Sequence, residues 1–330
     1  MENKIIQSLG IPFTALISII FLLMLISFPI GAYVIFNSGI NDDITYEYPM
    51  DNLESILDEI GIGSSMKFEL GDGFIILWSI YLILFTIAIL GPKKHFIQVL
   101  QSIVSHGKYE IKDNYMFPII KWFSILVLAS TIIIFAQEFF GISTEQLGTS
   151  NDLIQFFDLT LAPLVEEFLF RGILIGIPIF LLYSNRFSFK FFIKSLWRPW
   201  QNLEIVEKRK GLFVIVIVGI VFGASHIIFG EGWSAGKFAQ ASIGGIIIGW
   251  VYFRYGLAPA IIIHWATNYF IFSYGYFVAD LSQFSIENAF LHPFISMIEI
   301  LLIITGIISV IVLLANYIMK KRCIIEENND

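Results

Sequence analysis

The sequence predicts an all-α, polytopic membrane protein of about eight transmembrane helices. Three observations carry that prediction. Of 330 residues, 57% are hydrophobic and 14% charged, whereas soluble domains carry about 25% charged residues. Apolar runs able to cross a hydrocarbon core about 30 Å thick, given some tilt, recur along the whole chain. The basic residues sort to alternate connections between those runs.

The first run, residues 11–36, exceeds the roughly 7–15 residues of a signal-peptide core, and no small-residue cleavage site follows it. It is read as a retained first helix. The others span 74–91, 117–137, 154–184, 212–230, 238–253, 257–278 and 293–318. Arg254-Tyr255-Gly256 leaves almost no loop between the sixth and seventh, which predicts a tight helical hairpin. The first outer loop, 37–73, holds nine acidic residues and one lysine, and its stretch 50–62 (MDNLESILDEIGI) predicts a short amphipathic helix ended by glycine. The loop 185–211 mixes Phe and Trp with seven basic residues, a composition suited to lying along an anionic inner surface.

With the N-terminus placed in the cytoplasm, the inner segments hold 17 of the 20 basic residues. The outer segments hold only Lys67 and Lys237, and Arg171 falls inside a span. That bias predicts both termini inside. Trp122, Trp197, Trp200 and Trp250 fall near inner boundaries and Trp78 and Trp233 near outer ones, as an aromatic belt requires. The net charge of −7 is uninformative beside this distribution. No basic stripe or motif points to nucleic acid. The one cysteine, Cys323, rules out an internal disulfide and a thiolate metal cluster. Cys323-Ile324-Ile325-Glu326 has the shape of a prenylation box, but Glu327 to Asp330 follow it, so no modification is expected there. No internal repeat suggests an inverted-repeat transporter.

Few ionisable residues lie well inside the spans. They are Glu166, Glu167 and Arg171 in the fourth, within 162–176 (APLVEEFLFRGILIG), His226 in the fifth, His264 in the seventh and Glu299 near the outer end of the eighth. A charge near the bilayer centre costs roughly 2.5–3.5 kcal/mol on insertion scales, so the cluster calls for a reason. Three reasons compete: an ion pair between helices, a proton-coupled transport site and a catalytic carboxylate.

Helical geometry assigns the charges unequally. Glu167 and Arg171, at i and i+4, lie about 40° apart in acid-before-base order, whereas Glu166 lies about 140° from Arg171. Arg171 therefore neutralises Glu167 most easily. Glu166 is left as an unpaired carboxylate, the type of group that serves as a general base. His264 and Asn268 share a face and offer N–H donors to a developing oxyanion. His226 shares a face with Phe222, and Gly223 and Ala224 let that helix approach a neighbour closely.

Glu166-Glu167-x-x-x-Arg171, Phe222-x-x-x-His226 and His264-x-x-x-Asn268, in this order on three membrane helices, resemble the CPBP intramembrane protease family. That family includes the type II CAAX prenyl endopeptidases and the bacteriocin-processing, Abi-type proteins. The resemblance covers residues 154–278. It divides the chain into helices 1–3 with the acidic loop (1–153), a catalytic core (154–278), and a last helix with a cytoplasmic tail (279–330). It implies an intramembrane active-site cavity in which Glu166 activates water, His226 helps to hold it, and His264 and Asn268 stabilise the oxyanion. Glu167 and Arg171 would orient the site, with Phe222 in support. The implied substrate is a membrane-anchored or prenylated peptide, trimmed of a C-terminal tripeptide in the CAAX case, and CAAX-type cleavage favours a cytoplasmic opening.

No cofactor is fixed by the sequence. Glu166, His226 and His264 would form a His₂Glu zinc site if a divalent metal is bound, but no H-E-x-x-H is present. The alternatives are a catalytically silent protein that binds a membrane partner, as in immunity, and a proton-coupled transporter using Glu166 and His226. The expected location is a prokaryotic plasma membrane. Glu299 is read as an outer-interface residue apart from the site. At 1.5 Å per residue, the spans put Glu166 about 18 Å and His226 about 6 Å from the outer boundary, and His264 about 10 Å from the inner one. A shared site requires other span boundaries or strongly tilted or broken helices, with Gly172, Gly176 and Pro178 able to bend the fourth and Gly256 and Pro259 able to shift the seventh.

Overall fold

The computed structural model describes residues 4–37, 39, 44–50, 68–106, 114–142, 151–186, 188–228 and 234–327, with backbone alone for 4–9, 106 and 319–327. In chain order the helices are α1 (Lys4–Asn37), α2 (Leu70–Leu90), α3 (Phe96–His106), α4 (Met116–Phe139) and α5 (Asp152–Glu167). A π-helical stretch, π1 (Phe168–Ile175), leads into α6 (Gly176–Tyr183), followed by α7 (Phe189–Trp197), α8 (Pro199–Asn202) and α9 (Arg209–Ile228). Then come α10 (Lys237–Tyr255), α11 (Leu257–Trp265), a second π stretch, π2 (Ala266–Phe270), α12 (Ile271–Ser282), α13 (Ile286–Phe290) and α14 (Pro293–Glu327).

The all-α fold expected from the sequence is the fold observed. By length and composition, Gly10–Asn37, Leu70–Leu90, Met116–Phe139, Arg209–Ile228 and Pro293–Ile318 suffice to cross a membrane. The fourth, sixth and seventh expected spans are the run α5–π1–α6, the helix α10 and the run α11–π2–α12. Among the described residues the sole β-type pairing is an isolated antiparallel bridge from Pro49 to Glu69, which closes the base of the acidic loop. The amphipathic helix expected at 50–62 lies outside the described residues apart from Met50.

The run α11–π2 is the axis of the bundle. All nine residues of α11 are buried, as befits a helix apolar on every side. Trp265 and Tyr269 extend a stack of rings, each pair tilted by 23° or less: Phe28 on Trp265, Trp265 on Tyr269, Tyr269 on Phe156. The Tyr269 hydroxyl donates to the Ser27 carbonyl at 3.2 Å. Gly256 supplies the turn from α10 to α11 at φ 102°, where a side chain would be strained and its Cβ would sit 2.5 Å from the Trp197 carbonyl oxygen. The expected tight hairpin is this turn.

Two of the three site-bearing spans, the fourth and the seventh, are interrupted, while α9, which carries Phe222 and His226, is continuous. In the fourth, π1 contains Gly172 and runs into Gly176 and Pro178. Pro178 has no N–H to return to the preceding turn. In the seventh the break is not where it was expected. Pro259 sits in the first turn of α11, where a missing N–H is tolerated, and the helix passes through it. The register changes at π2 instead, directly after His264 and around Asn268. π segments occur often at functional sites.

Close packing sets the position of α9. A Cβ on Gly223 would fall 2.0 Å from Ser242 Oγ and 2.7 Å from the Phe238 carbonyl oxygen, and one on Gly219 2.5 Å from Ile246 Cγ1. Of the small residues expected to permit close approach, Gly223 does so here against α10, joined by Gly219.

Candidate active site

The four groups Glu166, His226, His264 and Asn268 line one cavity of about 500 Å³ between α4, α5, α9, α10, α11–π2–α12 and α14. Phe222 lines it as well, while Glu167 and Arg171 lie behind its wall. The sequence motifs, scattered over roughly a hundred positions, therefore converge.

The wall is built from Glu167. Its Oε1 is 2.8 Å from Arg171 Nη1, and the two side chains are 0% and 1% exposed. The pairing expected from i, i+4 spacing is the one found. The same Oε1 also lies 2.8 Å from His264 Nδ1. Glu167, not Asn268, is thus the direct partner of His264, because α11 passes alongside α5 at this level. Arg171 further donates from Nη2 to the Gly245 carbonyl at 3.4 Å. Its guanidinium carbon stands 4.5 Å from the Phe222 ring centroid, a favourable cation–π arrangement away from water. Phe222 also meets His226 at 4.7 Å and His264 at 5.9 Å, both edge-on. One phenyl ring touches the cation and both imidazoles.

Glu166 is differently placed. Its side chain is 30% exposed, and Oε2 lies 3.9 Å from His264 Nε2, too long for a hydrogen bond. That oxygen has no hydrogen-bond partner among the described residues. Each imidazole is held by Nδ1: His264 by Glu167, and His226 by the Phe222 carbonyl at 2.9 Å. With Nδ1–H donating in each case, both present Nε2 away from their anchors. His264 offers an N–H from Nε2 only with protons on both nitrogens, a condition the sequence reading of His264 as an oxyanion donor had not included. Thr267 Oγ1 donates to the His264 carbonyl at 2.7 Å and lies 3.2 Å from Asn268 Oδ1. This leaves the Asn268 Nδ2 group as the donor.

Residues 151–270 match the family model described as Rce1-like, type II CAAX prenyl endopeptidase. Over that stretch, about a third of the chain, the protein is similar to the Rce1-like CAAX prenyl endopeptidases. No curated protein and no solved structure matches it. The matched stretch runs from α5 to π2 and includes Glu166, Glu167, Arg171, Phe222, His226, His264 and Asn268. The cavity extends beyond it, because α4 and α14 complete the walls.

Two expectations change. Glu299 lines the cavity rather than standing apart at the interface. The first turns of α14 face inward there, and a hydropathy pattern does not show which way a helix is turned. Thr267, Gly245 and Gln240 carried no sequence signal, since a lone hydroxyl, carbonyl or amide in an apolar span reads as packing. As for zinc, anchoring Nδ1 and presenting Nε2 is how histidines are held in metal sites. Three ligands must also converge, and among the described residues no three His, Cys, Asp or Glu side chains are grouped closely enough.

Proposed function

We propose that the Rce1-like domain is an intramembrane endopeptidase in which Glu166 activates water against a peptide bond of a membrane-anchored or prenylated peptide. The observation that carries this reading is the inequality of the two adjacent glutamates. Glu167, 0% exposed, is held through Oε1 by both Arg171 and His264, whereas Glu166, 30% exposed, lines the cavity with no group among the described residues within hydrogen-bond distance of its Oε2.

The chemistry follows from donors and acceptors. Glu166 and His226 Nε2 both accept, so a water between them is held by its own protons. Glu166 takes one proton as the water oxygen attacks the scissile carbonyl carbon. The carbonyl oxygen, gaining charge, meets Asn268 Nδ2–H and, when doubly protonated, His264 Nε2–H. Collapse of the tetrahedral species breaks the C–N bond, and Glu166 returns its proton to the departing amine. Glu167 and Arg171 never touch the substrate in this scheme. They fix His264. The apolar walls, including Phe123, Leu126, Ile248 and Phe272, suit an apolar anchor next to the cut, and about 500 Å³ lies within the usual range of ligand cavities. The bias of basic residues to alternate connections supports a membrane protein with both termini cytoplasmic.

The test uses purified protein in detergent with a farnesylated C-terminal CAAX peptide and a panel of membrane-anchored peptides. Wild type cleaves at least one of them, and Glu166→Ala, His226→Ala and His264→Ala do not. Cleavage that survives Glu166→Ala refutes the mechanism. Retention of activity in EDTA and o-phenanthroline, with metal analysis of the active fraction, separates the glutamate mechanism from a metal-dependent one.

A further inference from the structure

The two mouths available to an intramembrane cavity differ in what reaches them, so the direction of opening decides the substrate. Read as eight passes, the helices put Leu90, Phe96, Tyr183, Arg209 and Gly256 at one face of the bundle and Phe139, Asp152, Ile228, Lys237, Ser282 and Pro293 at the other. Tyr183 near the first face bonds the Gly211 amide at 3.0 Å. Gln137 near the second face donates to the Gly236 carbonyl at 2.7 Å. The two faces are therefore consistently assigned by contacts as well as by chain order.

The cavity belongs to the second face. Its rim includes Lys237, which opens α10, together with Phe290 in α13 and Ile295 and Glu299 in the first turns of α14. Its deepest lining residues, Phe123, Ile248 and His264, each stop about 10 Å short of the first-face end of their helices, at seven residues and 1.5 Å each. Below them Lys121, Tyr252 and Ile263 are buried and close the way down. No residue of 91–95, 184–208 or 256 lines the cavity among the described residues. In the sequence, the stretch 37–73 that joins the rim-side ends of α1 and α2 holds nine acidic residues and one lysine, and the segments assigned to the opposite helix ends hold 17 of the 20 basic residues.

Resting on the peptidase reading, we propose that the cavity is entered from the non-cytoplasmic face and that its substrate is the outward-facing juxtamembrane segment of a membrane-anchored peptide. The positive-inside bias fixes the closed face as cytoplasmic. A prenylated tail made in the cytosol lies against that closed face. It reaches Glu166 only by crossing the bundle. The expectation of a cytoplasmic opening, drawn from CAAX-type cleavage, runs against this arrangement.

Access is measurable without catalysis. Cys323→Ser removes the one native thiol, and single cysteines are then placed at Gln240 and Phe290 on the cavity wall, at Lys194 in the basic loop and at Glu47 in the acidic loop. Intact cells and sealed inside-out vesicles are exposed to a membrane-impermeant sulfonated maleimide, with denatured protein as the reference for full labelling. Gln240→Cys and Phe290→Cys should react in intact cells along with Glu47→Cys, while Lys194→Cys reacts only in inside-out vesicles. Reaction of Gln240→Cys and Phe290→Cys only with Lys194→Cys overturns the proposal, as does reaction from neither side. Since labelling does not require turnover, loss of peptide cleavage would refute the peptidase reading and leave this result standing.

Discussion

Replacing Arg171 with leucine isolates what the buried pair contributes. Arg171 is 1% exposed and Glu167 0%, with 2.8 Å between them, and removing one partner of such a pair costs about 3–5 kcal/mol because the other charge stays buried. At about 1.4 kcal/mol per decade, that is a roughly 150- to 4,000-fold fall in the folded-to-unfolded ratio. The double variant Glu167→Leu/Arg171→Leu removes both charges, and replacing a whole buried pair with apolar residues of similar volume is often neutral or better. One debt remains, because His264 Nδ1 loses its acceptor 2.8 Å away, and an unsatisfied buried polar group costs about 1–3 kcal/mol. The double variant should therefore be more stable than Arg171→Leu by thermal and SDS-induced unfolding in micelles, yet just as inactive in peptide cleavage. A double variant no more stable than the single would refute the charge argument. A double variant that cleaves peptide would refute the role of Glu167 in fixing His264.

Three further outcomes are expected. Glu166→Gln, which keeps size and shape in a side chain already 30% exposed, lowers the cleavage rate by about 10²–10⁴, the usual worth of a general base, with an unchanged unfolding midpoint. Phe222→Ala removes the ring shared by Arg171, His226 and His264 and destabilises by about 3–5 kcal/mol in the same unfolding assays. Gly223→Val drives a methyl-bearing carbon into Ser242 Oγ and the Phe238 carbonyl. Overpacking of that kind costs about 1–3 kcal/mol, read as a lower midpoint; because α9 is displaced from α10, activity falls with it.

The positions of the helices were legible because hydrophobic length and charge bias are both linear signals. Observed α2, α4 and α10 depart from the expected 74–91, 117–137 and 238–253 by a few residues. The Glu167–Arg171 pair was legible for a related reason: i, i+4 is a property of one helix. What lies between helices was not. His264 bonding to Glu167 depends on how α11 is set against α5, and no periodicity encodes that. The π segments were equally hidden, since in an all-apolar run the difference between 3.6 and a wider turn leaves no pattern of polar residues to count. Only the irreconcilable depths of Glu166, His226 and His264 pointed to a break, and proline suggested the wrong place for it in the seventh span. Glu299 was misplaced because a glutamate near a helix end reads the same whether it faces headgroups or a cavity.

The stack of Phe28, Trp265, Tyr269 and Phe156 bears on where the protein can be cut by an experimenter. Trp265 and Tyr269 follow His264 directly and belong to the matched stretch 151–270, but Phe28 and Ser27 lie in α1, more than a hundred residues before it. Gly31 of α1 approaches Tyr269 so closely that a Cβ would fall 2.0 Å from its hydroxyl. A fragment beginning at residue 151 would leave the indole of Trp265 facing lipid and the helix that carries His264 free to roll about its own axis. The matched stretch is thus not by itself a unit of architecture, since the run of helix that carries its His264 is packed at Trp265 and Tyr269 against a helix that carries none of its motifs.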